Sequence, residues 1–133
     1  MATTQEREHA VRRRVLVVDD NRDITEAIST IVRLLGHDVR VASDGASALA
    51  LAEEFHPDLV LLDIGMPGMD GFEVARRLRE AGETPVQLVA VTGWGDRLTR
   101  ERSVAAGFDQ HIVKPIGLAH LRALLARPRE GSD

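Results

Sequence analysis

The chain has 133 residues, of which 44% are hydrophobic and 29% are charged, and its formal net charge is -4. This length and composition predict one globular domain without a separate output domain, and the acidic balance predicts no nucleic-acid partner. The absence of cysteine excludes disulfides and thiolate metal sites, and the lack of any apolar run of about 20 residues predicts no membrane span and a cytoplasmic protein.

Polar segments at residues 1–12 and 128–133 are typical of tails and leave a domain over residues 13–127. Within it, apolar runs alternate with amphipathic stretches. The predicted elements, in chain order, are a strand at 15–18, a helix at 24–35, a strand at 39–41, a helix at 46–54, a strand at 59–62, a helix at 71–80, a strand at 86–91, a helix at 96–106, a strand at 112–113 and a helix at 118–127. Five βα units predict an α/β fold with a five-stranded parallel sheet, doubly wound by helices on both faces.

Polar residues follow four of the five strands. The first strand is followed by Asp19 and Asp20, the third by Asp63, the fourth by Thr92 and the fifth by Lys114, the only lysine beside 16 arginines. Each residue alone could be a helix cap or a turn residue. Because ligands of open parallel sheets bind at the carboxyl ends of the strands, the whole set favours a site there.

The charges of this set do not balance. Three carboxylates and one ammonium sum to minus two, so either one carboxyl group stays protonated or a divalent cation binds. Oxygen ligands without His or Cys favour magnesium over zinc. A carboxylate between magnesium and a lysine is suited to attack phosphorus.

Four segments strongly resemble the response-regulator receiver family of two-component signalling. They are ValLeuValValAspAsp at 15–20, LeuLeuAspIleGlyMetProGlyMetAspGly at 61–71, AlaValThrGly at 90–93 and HisIleValLysPro at 111–115. The resemblance extends over about residues 14–127 in order and spacing. It implies a flavodoxin-like (βα)5 fold with strand order 2-1-3-4-5.

The resemblance also implies residue roles. Asp63 would accept the phosphoryl group, and Asp20, Asp63 and the backbone carbonyl of Gly65 would hold Mg²⁺, with Asp19 acting through bound water. Thr92 and Lys114 would contact the phosphoryl oxygens, and the peptide between Lys114 and Pro115 would be cis. Such a domain would act as a phosphoacceptor with self-phosphotransfer and autodephosphorylation, not as a true enzyme.

A conformational switch and two kinds of partner follow from the same resemblance. Thr92 and the residue at position 111, here histidine where relatives often carry Tyr or Phe, would report phosphorylation to the face of the fourth helix, fifth strand and fifth helix. A sensor histidine kinase or a histidine phosphotransfer protein would supply the phosphoryl group, and a downstream protein would bind that face. Gly65, Gly93 and Trp94 depart from the commonest family pattern around the site.

Two alternatives remain at this point. A magnesium-dependent phosphohydrolase of the haloacid dehalogenase type also combines an Asp nucleophile with Thr and Lys, but it expects a second Asp where this chain has Gly65. A receiver-like interaction module that takes no phosphate usually lacks an acid, the acceptor or the lysine, and all of these are present. No glycine-rich nucleotide-binding motif follows a strand.

Overall fold

The computed structural model describes residues 12–66, 70–81, 86–93, 95 and 97–126. The strands in these ranges are β1 (Arg14–Val18), β2 (Asp38–Ala42), β3 (Leu59–Asp63), β4 (Gln87–Thr92) and β5 (Gln110–Val113). The helices are α1 (Arg22–Leu34), α2 (Gly45–Phe55), α3 (Gly71–Ala81), α4 (Arg97–Ala106) and α5 (Leu118–Ala126). The predicted alternation of strands and helices is therefore confirmed, whereas most of residues 1–12 and all of 128–133, expected as tails, lie outside the described residues.

All strand pairs are parallel, and their order is β2-β1-β3-β4-β5, as predicted. Two strands extend one residue beyond their apolar runs. Asp63 pairs with Val91, and Thr92 pairs with Val113, so main-chain pairing continues onto the polar residues that follow each run. This extension fixes Asp63 and Thr92 to the rigid sheet.

Local sequence signals define the ends of the first two helices. The side chain of Asn21 accepts a hydrogen bond from the Ile24 amide and caps α1, and Asp44 caps α2 by accepting one from Ser47. After α1 the chain turns at Gly36, whose φ of 93° lies in the left-handed region that suits glycine.

The core forms two layers, one on each face of the sheet. One layer joins α2, α3 and α4 to alternate sheet residues such as Leu16, Leu62 and Leu88. The other joins α1 and α5 to the intervening residues, among them Val17 and Leu61. Because helices cover β1 and β3 on both faces, side chains on both faces are buried, which explains why these strands are continuously apolar.

None of the helices in the described part of the chain is long and apolar enough to cross a bilayer.

Candidate functional site

The acidic residues lie at the carboxyl ends of two neighbouring strands. Asp19 and Asp20 follow β1, and Asp63 ends β3, which is the partner of β1 in the sheet. The chain winds from β1 outward to β2 on one side and returns to β3 on the other. This reversal is the point at which doubly wound sheets bind their ligands.

The three carboxylates form a compact cluster. One oxygen atom from each of Asp19, Asp20 and Asp63 lies within 4.8 Å of the others. Asp19 and Asp63 are buried, with exposed fractions of 4% and 8%, while Asp20 is exposed at the mouth. In the described residues this is the only such group of three or more metal-ligating side chains, and all of its ligand atoms are hard oxygens.

Lys114 lies between the two buried acids. Its Nζ atom is 2.9 Å from Asp19 Oδ2 and 3.4 Å from Asp63 Oδ2. The backbone N–H of Lys114 donates to the carbonyl of Thr92 at 2.7 Å, and the Lys114–Pro115 peptide is cis. Burial acts to lower the pKa of Lys114, but the hydrogen bonds and charges of Asp19 and Asp63 outweigh it and raise that pKa, so the side chain is a cation.

The remaining carboxylate oxygens are held by backbone amides. Asp63 Oδ1 accepts the N–H of Gly65 at 3.0 Å, and Asp19 Oδ1 accepts the N–H of Asn21 at 2.9 Å. Sequence reasoning missed the amide of Asn21, although its place two residues after an acid is typical of an Asx turn. Each buried carboxylate thus has one oxygen fixed by a main-chain amide and the other by Lys114.

The pKa of Asp63 is raised above its usual value. Burial is the largest cause, and the negative charge of Asp19 adds to it, whereas the Gly65 amide and Lys114 act in the opposite direction. One ammonium does not compensate both buried carboxylates and exposed Asp20. The site therefore favours any ligand that brings positive charge.

Thr92 and His111 lie on adjacent strands. Thr92 is 1% exposed at the end of β4, and His111 is half-buried in β5 opposite Ala90. Because side chains alternate along a strand, Thr92, Ala90 and His111 share the sheet face that carries α4. The two predicted switch residues are therefore diagonal neighbours on one face.

Glycines shape the surroundings of the site. A Cβ atom on Gly65 would meet only Asp63 Oδ1, at 3.6 Å, and one on Gly93 would meet nothing within 4 Å. A Cβ atom on Gly71 would lie 2.4 Å from the Cα of Ile64, so α3 packs against the segment after β3 without space for a side chain. The sequence predicted Gly71 as the first residue of a helix, but not this close approach to Ile64. Trp94, expected near the site, lies outside the described residues.

The fold and the acidic cluster define a doubly wound α/β protein with a charged site at its switch point. Residues 15–126 match the response regulator receiver domain family, and the chain belongs to that family. It is therefore a receiver domain of two-component signalling, and this family match favours the receiver over the phosphohydrolase alternative.

Known proteins agree with this assignment. The chain is 38% identical over 121 residues to the DNA-binding response regulator MtrA of Mycobacterium tuberculosis, covering 88% of this chain and 52% of that protein. The chemotaxis response regulator CheY4 of Vibrio cholerae is similar in structure, with a TM-score of 0.80, 28% identity and coverage of 86% and 96%. The receiver domain of the sensor histidine kinase PA1611 of Pseudomonas aeruginosa, solved with a magnesium ion in its active site cleft, gives a TM-score of 0.76, 31% identity and coverage of 86% and 94%.

The chain spans about half the length of the curated relatives it matches. Some of those relatives are named DNA-binding response regulators, so the exclusion of nucleic acid made from net charge is not supported. The net charge of -4 describes only the present residues. The expectation of one domain without a separate output domain concerns only the present residues and stays a prediction.

Proposed function

We propose that Asp63 accepts a phosphoryl group from a phosphohistidine donor in a magnesium-dependent reaction. The observation that carries the proposal is the fixed Asp63 carboxylate at the switch point, with Lys114 at one oxygen and the Gly65 amide at the other. The acid pair of Asp19 and Asp20 lies beside it. All the polar groups that the chemistry needs are present, which argues against a module that takes no phosphate.

A magnesium ion fits the residues of this site. Asp20, Asp63 and the backbone carbonyl of Gly65 would hold it, and Asp19 would act through bound water. Magnesium suits this site because the ligand atoms of the three carboxylates are all oxygens. One lysine does not neutralise three carboxylates, so the site keeps a net negative charge. When bound, Mg²⁺ would neutralise charge on the oxygens of the transferring phosphoryl group.

In the proposed step, an oxygen of Asp63 attacks phosphorus while the bond from phosphorus to the donor imidazole breaks. The imidazole leaves neutral after taking up a proton, and an acyl phosphate forms on Asp63. Lys114 would pair with a phosphoryl oxygen, and the hydroxyl of Thr92 would donate to another. Hydrolysis of that acyl phosphate would reset the domain.

The chemistry suggests the partners and the response. A sensor histidine kinase or a histidine phosphotransfer protein in the cytoplasm would supply the phosphoryl group. Movement of Thr92 toward it would open space on the sheet face shared with His111, whose ring would then change position. The face of α4, β5 and α5 would transmit this change to a downstream protein or to a further domain, which in relatives named DNA-binding would be the DNA-binding part.

Phosphorylation by a small donor tests the acceptor. Incubation with acetyl phosphate and MgCl2 should add one phosphoryl group to the parent, found on Asp63 by intact mass and peptide mapping. Asp63→Asn should take up none. Asp44→Asn, the same chemical change at an exposed helix cap, should react like the parent. Undiminished uptake by Asp63→Asn, without label on a neighbouring acid, would refute the assignment.

Calorimetry tests the metal ligands separately. Asp20→Ala should weaken Mg²⁺ binding by about tenfold or more, because an exposed carboxylate at the mouth is replaced by an apolar group. Asp44→Asn again serves as the control. Equal magnesium affinity in the parent and Asp20→Ala would show that the ligand set is wrong.

A further inference from the structure

A second buried polar cluster lies at the opposite end of the sheet, where the strands begin. Its centre is Arg13, which is 4% exposed. The guanidinium donates to Asp58 Oδ1 at 2.9 Å, to Gln87 Oε1 at 2.9 Å and to the carbonyl of Leu124 at 2.8 Å. Arg13 thereby connects the beginnings of β3 and β4 to the last turn of α5.

The contact with α5 satisfies a group that the helix cannot satisfy itself. The carbonyl of Leu124 lies in the last turn, where carbonyl oxygens lack a partner four residues further along. A buried cation at the carboxyl end of a helix also interacts favourably with its dipole. The position of Arg13 therefore helps to hold the end of α5 on the sheet.

The main chain of Arg13 is held by His37. The backbone N–H of Arg13 donates to Nδ1 of the His37 ring at 2.9 Å, and both residues are buried. The backbone N–H of His37 donates in turn to the carbonyl of Val32 in α1, which anchors the main chain of His37 to that helix. Nδ1 accepts a hydrogen bond only while that atom carries no proton.

Four charged groups act on the ring, and they come from the elements around it. Burial is the largest effect and lowers the pKa of His37. The positive charges of Arg13 and Arg12 also lower this pKa, whereas the negative charges of Asp58 and Asp38 raise it. The net result is a pKa below the ordinary 6.5. Since the folded state favours the neutral ring, its stabilising contribution is complete above about pH 6.5 and is lost as the pH falls toward the lower folded pKa.

We propose that His37 and Arg13 form an acid-sensitive clasp, in which protonation of the His37 ring loosens Arg13 and with it the carboxyl end of α5. A protonated ring presents an N–H where the Arg13 amide needs an acceptor, and it adds a positive charge beside the guanidinium. The clasp lies at the end of the sheet remote from Asp63. It would make the position of α5 respond to acid without any phosphoryl transfer.

Amide hydrogen exchange, followed by NMR, tests the clasp. We expect the exchange rates of the Arg13 and Leu125 amides in the parent to rise about tenfold when the pH falls from about 7.5 to about 5. These rates are corrected for the intrinsic pH dependence of exchange. A tenfold rise is the effect expected from the loss of one buried hydrogen bond. His37→Asn keeps an acceptor near the Nδ1 position but cannot take up a proton. In this variant, the corrected exchange rates of the Arg13 and Leu125 amides should not depend on pH.

Two other histidines provide matched controls. His56→Asn changes an exposed residue whose left-handed conformation asparagine tolerates, and His120→Gln changes an exposed residue of α5 itself. Both variants should behave like the parent. An equal acid-induced rise in His37→Asn, or a rise at Arg13 without one at Leu125, would overturn the proposal.

If His37→Asn does not fold, Arg13→Lys provides an independent test. Lysine keeps the charge but loses the fork that contacts Asp58, Gln87 and Leu124. The Leu125 amide should then exchange about tenfold faster at both pH values than it does in the parent at the higher pH. Unchanged exchange would show that the cluster does not hold α5.

Discussion

Replacing Asp63 by asparagine should stabilise the metal-free protein. The variant keeps the shape of the side chain and an oxygen that can accept the Gly65 amide, while an uncharged NH2 group replaces the oxygen near Lys114. Lys114 does not lose its counter-ion, because Asp19 remains 2.9 Å from its Nζ atom. The substitution therefore removes a buried charge without leaving a buried partner unpaired.

Opposing interactions set the size of the effect. At an effective dielectric constant of about 20, two like charges about 5 Å apart repel by about 3 kcal/mol. Oxygen atoms of Asp19 and Asp63 lie within 4.8 Å of each other, and Lys114 offsets their repulsion. The cost of burying the Asp63 carboxylate is then only partly compensated, in agreement with its raised pKa. We expect the free energy of unfolding of Asp63→Asn to exceed that of the parent by about 1 to 2 kcal/mol at neutral pH.

The pH dependence of this gain has a definite sign. A carboxyl group whose folded pKa is raised above 3.8 binds more protons in the folded state than in the unfolded state. The penalty for ionised Asp63 is absent below about pH 4 and grows as the pH rises through the folded pKa. The stability difference between the variant and the parent should grow over the same range.

Urea unfolding followed by circular dichroism, at about pH 4 and pH 7 and with or without MgCl2, measures these differences. Magnesium should stabilise the parent and have much less effect on Asp63→Asn. Asp44→Asn is the matched control; the pKa of this helix cap is lowered by hydrogen bonds from Ser47, so its pH dependence should have the opposite sign. A less stable Asp63→Asn at pH 7 without magnesium, or equal stabilisation of both proteins by magnesium, would refute the reasoning.

Three further substitutions test other parts of the structure. Gly71→Ala places a methyl group 2.4 Å from the Cα of Ile64. The free energy of unfolding, measured by urea titration, should fall by about 2 kcal/mol. Phosphorylation, measured as uptake from acetyl phosphate, should be slower. Leu88→Ala empties a fully buried position and should cost about 2 to 5 kcal/mol in the same unfolding assay, with magnesium affinity unchanged in the folded fraction. Lys114→Arg keeps the charge but brings a wider fork into a small site; phosphoryl uptake should fall while stability changes by less than about 1 kcal/mol, and parent-like uptake would show that a compact ammonium is unnecessary.

The strands and helices were predictable because the apolar pattern of a short stretch of sequence indicates which of its faces are buried. The continuous apolar runs at 15–18 and 59–62 are central strands covered on both faces, and the alternating run at 39–41 is edge strand β2. The ends of β3 and β4 were predicted one residue short. Apolarity stops before Asp63 and Thr92, whereas strand pairing, which depends on the neighbouring strand, continues.

The acidic site was also visible in the sequence, because a parallel sheet gathers all of its carboxyl ends on one edge. The cluster at the other edge was not predicted. Arg13 contacts residues that are 24 to 111 positions away in the chain. Arg13 stands next to two other arginines and looks like part of a charged tail until the sheet and α5 are assembled. Contacts of this range depend on tertiary packing, and no local pattern encodes them.

The two buried clusters differ in their balance of charge. At the beginnings of the strands, Arg13 pairs with the opposite charge of Asp58, and the Gln87 and Leu124 oxygens that also accept from it are neutral. At the carboxyl ends, Lys114 faces two buried carboxylates, and Asp20 adds a third acid at the mouth. A buried cluster whose charges cancel needs no ligand. A buried cluster with excess negative charge destabilises the protein until a cation binds. Burial, with a smaller contribution from the charge of Asp19, raises the pKa of Asp63, and the excess of negative charge at this edge favours the binding of a cation.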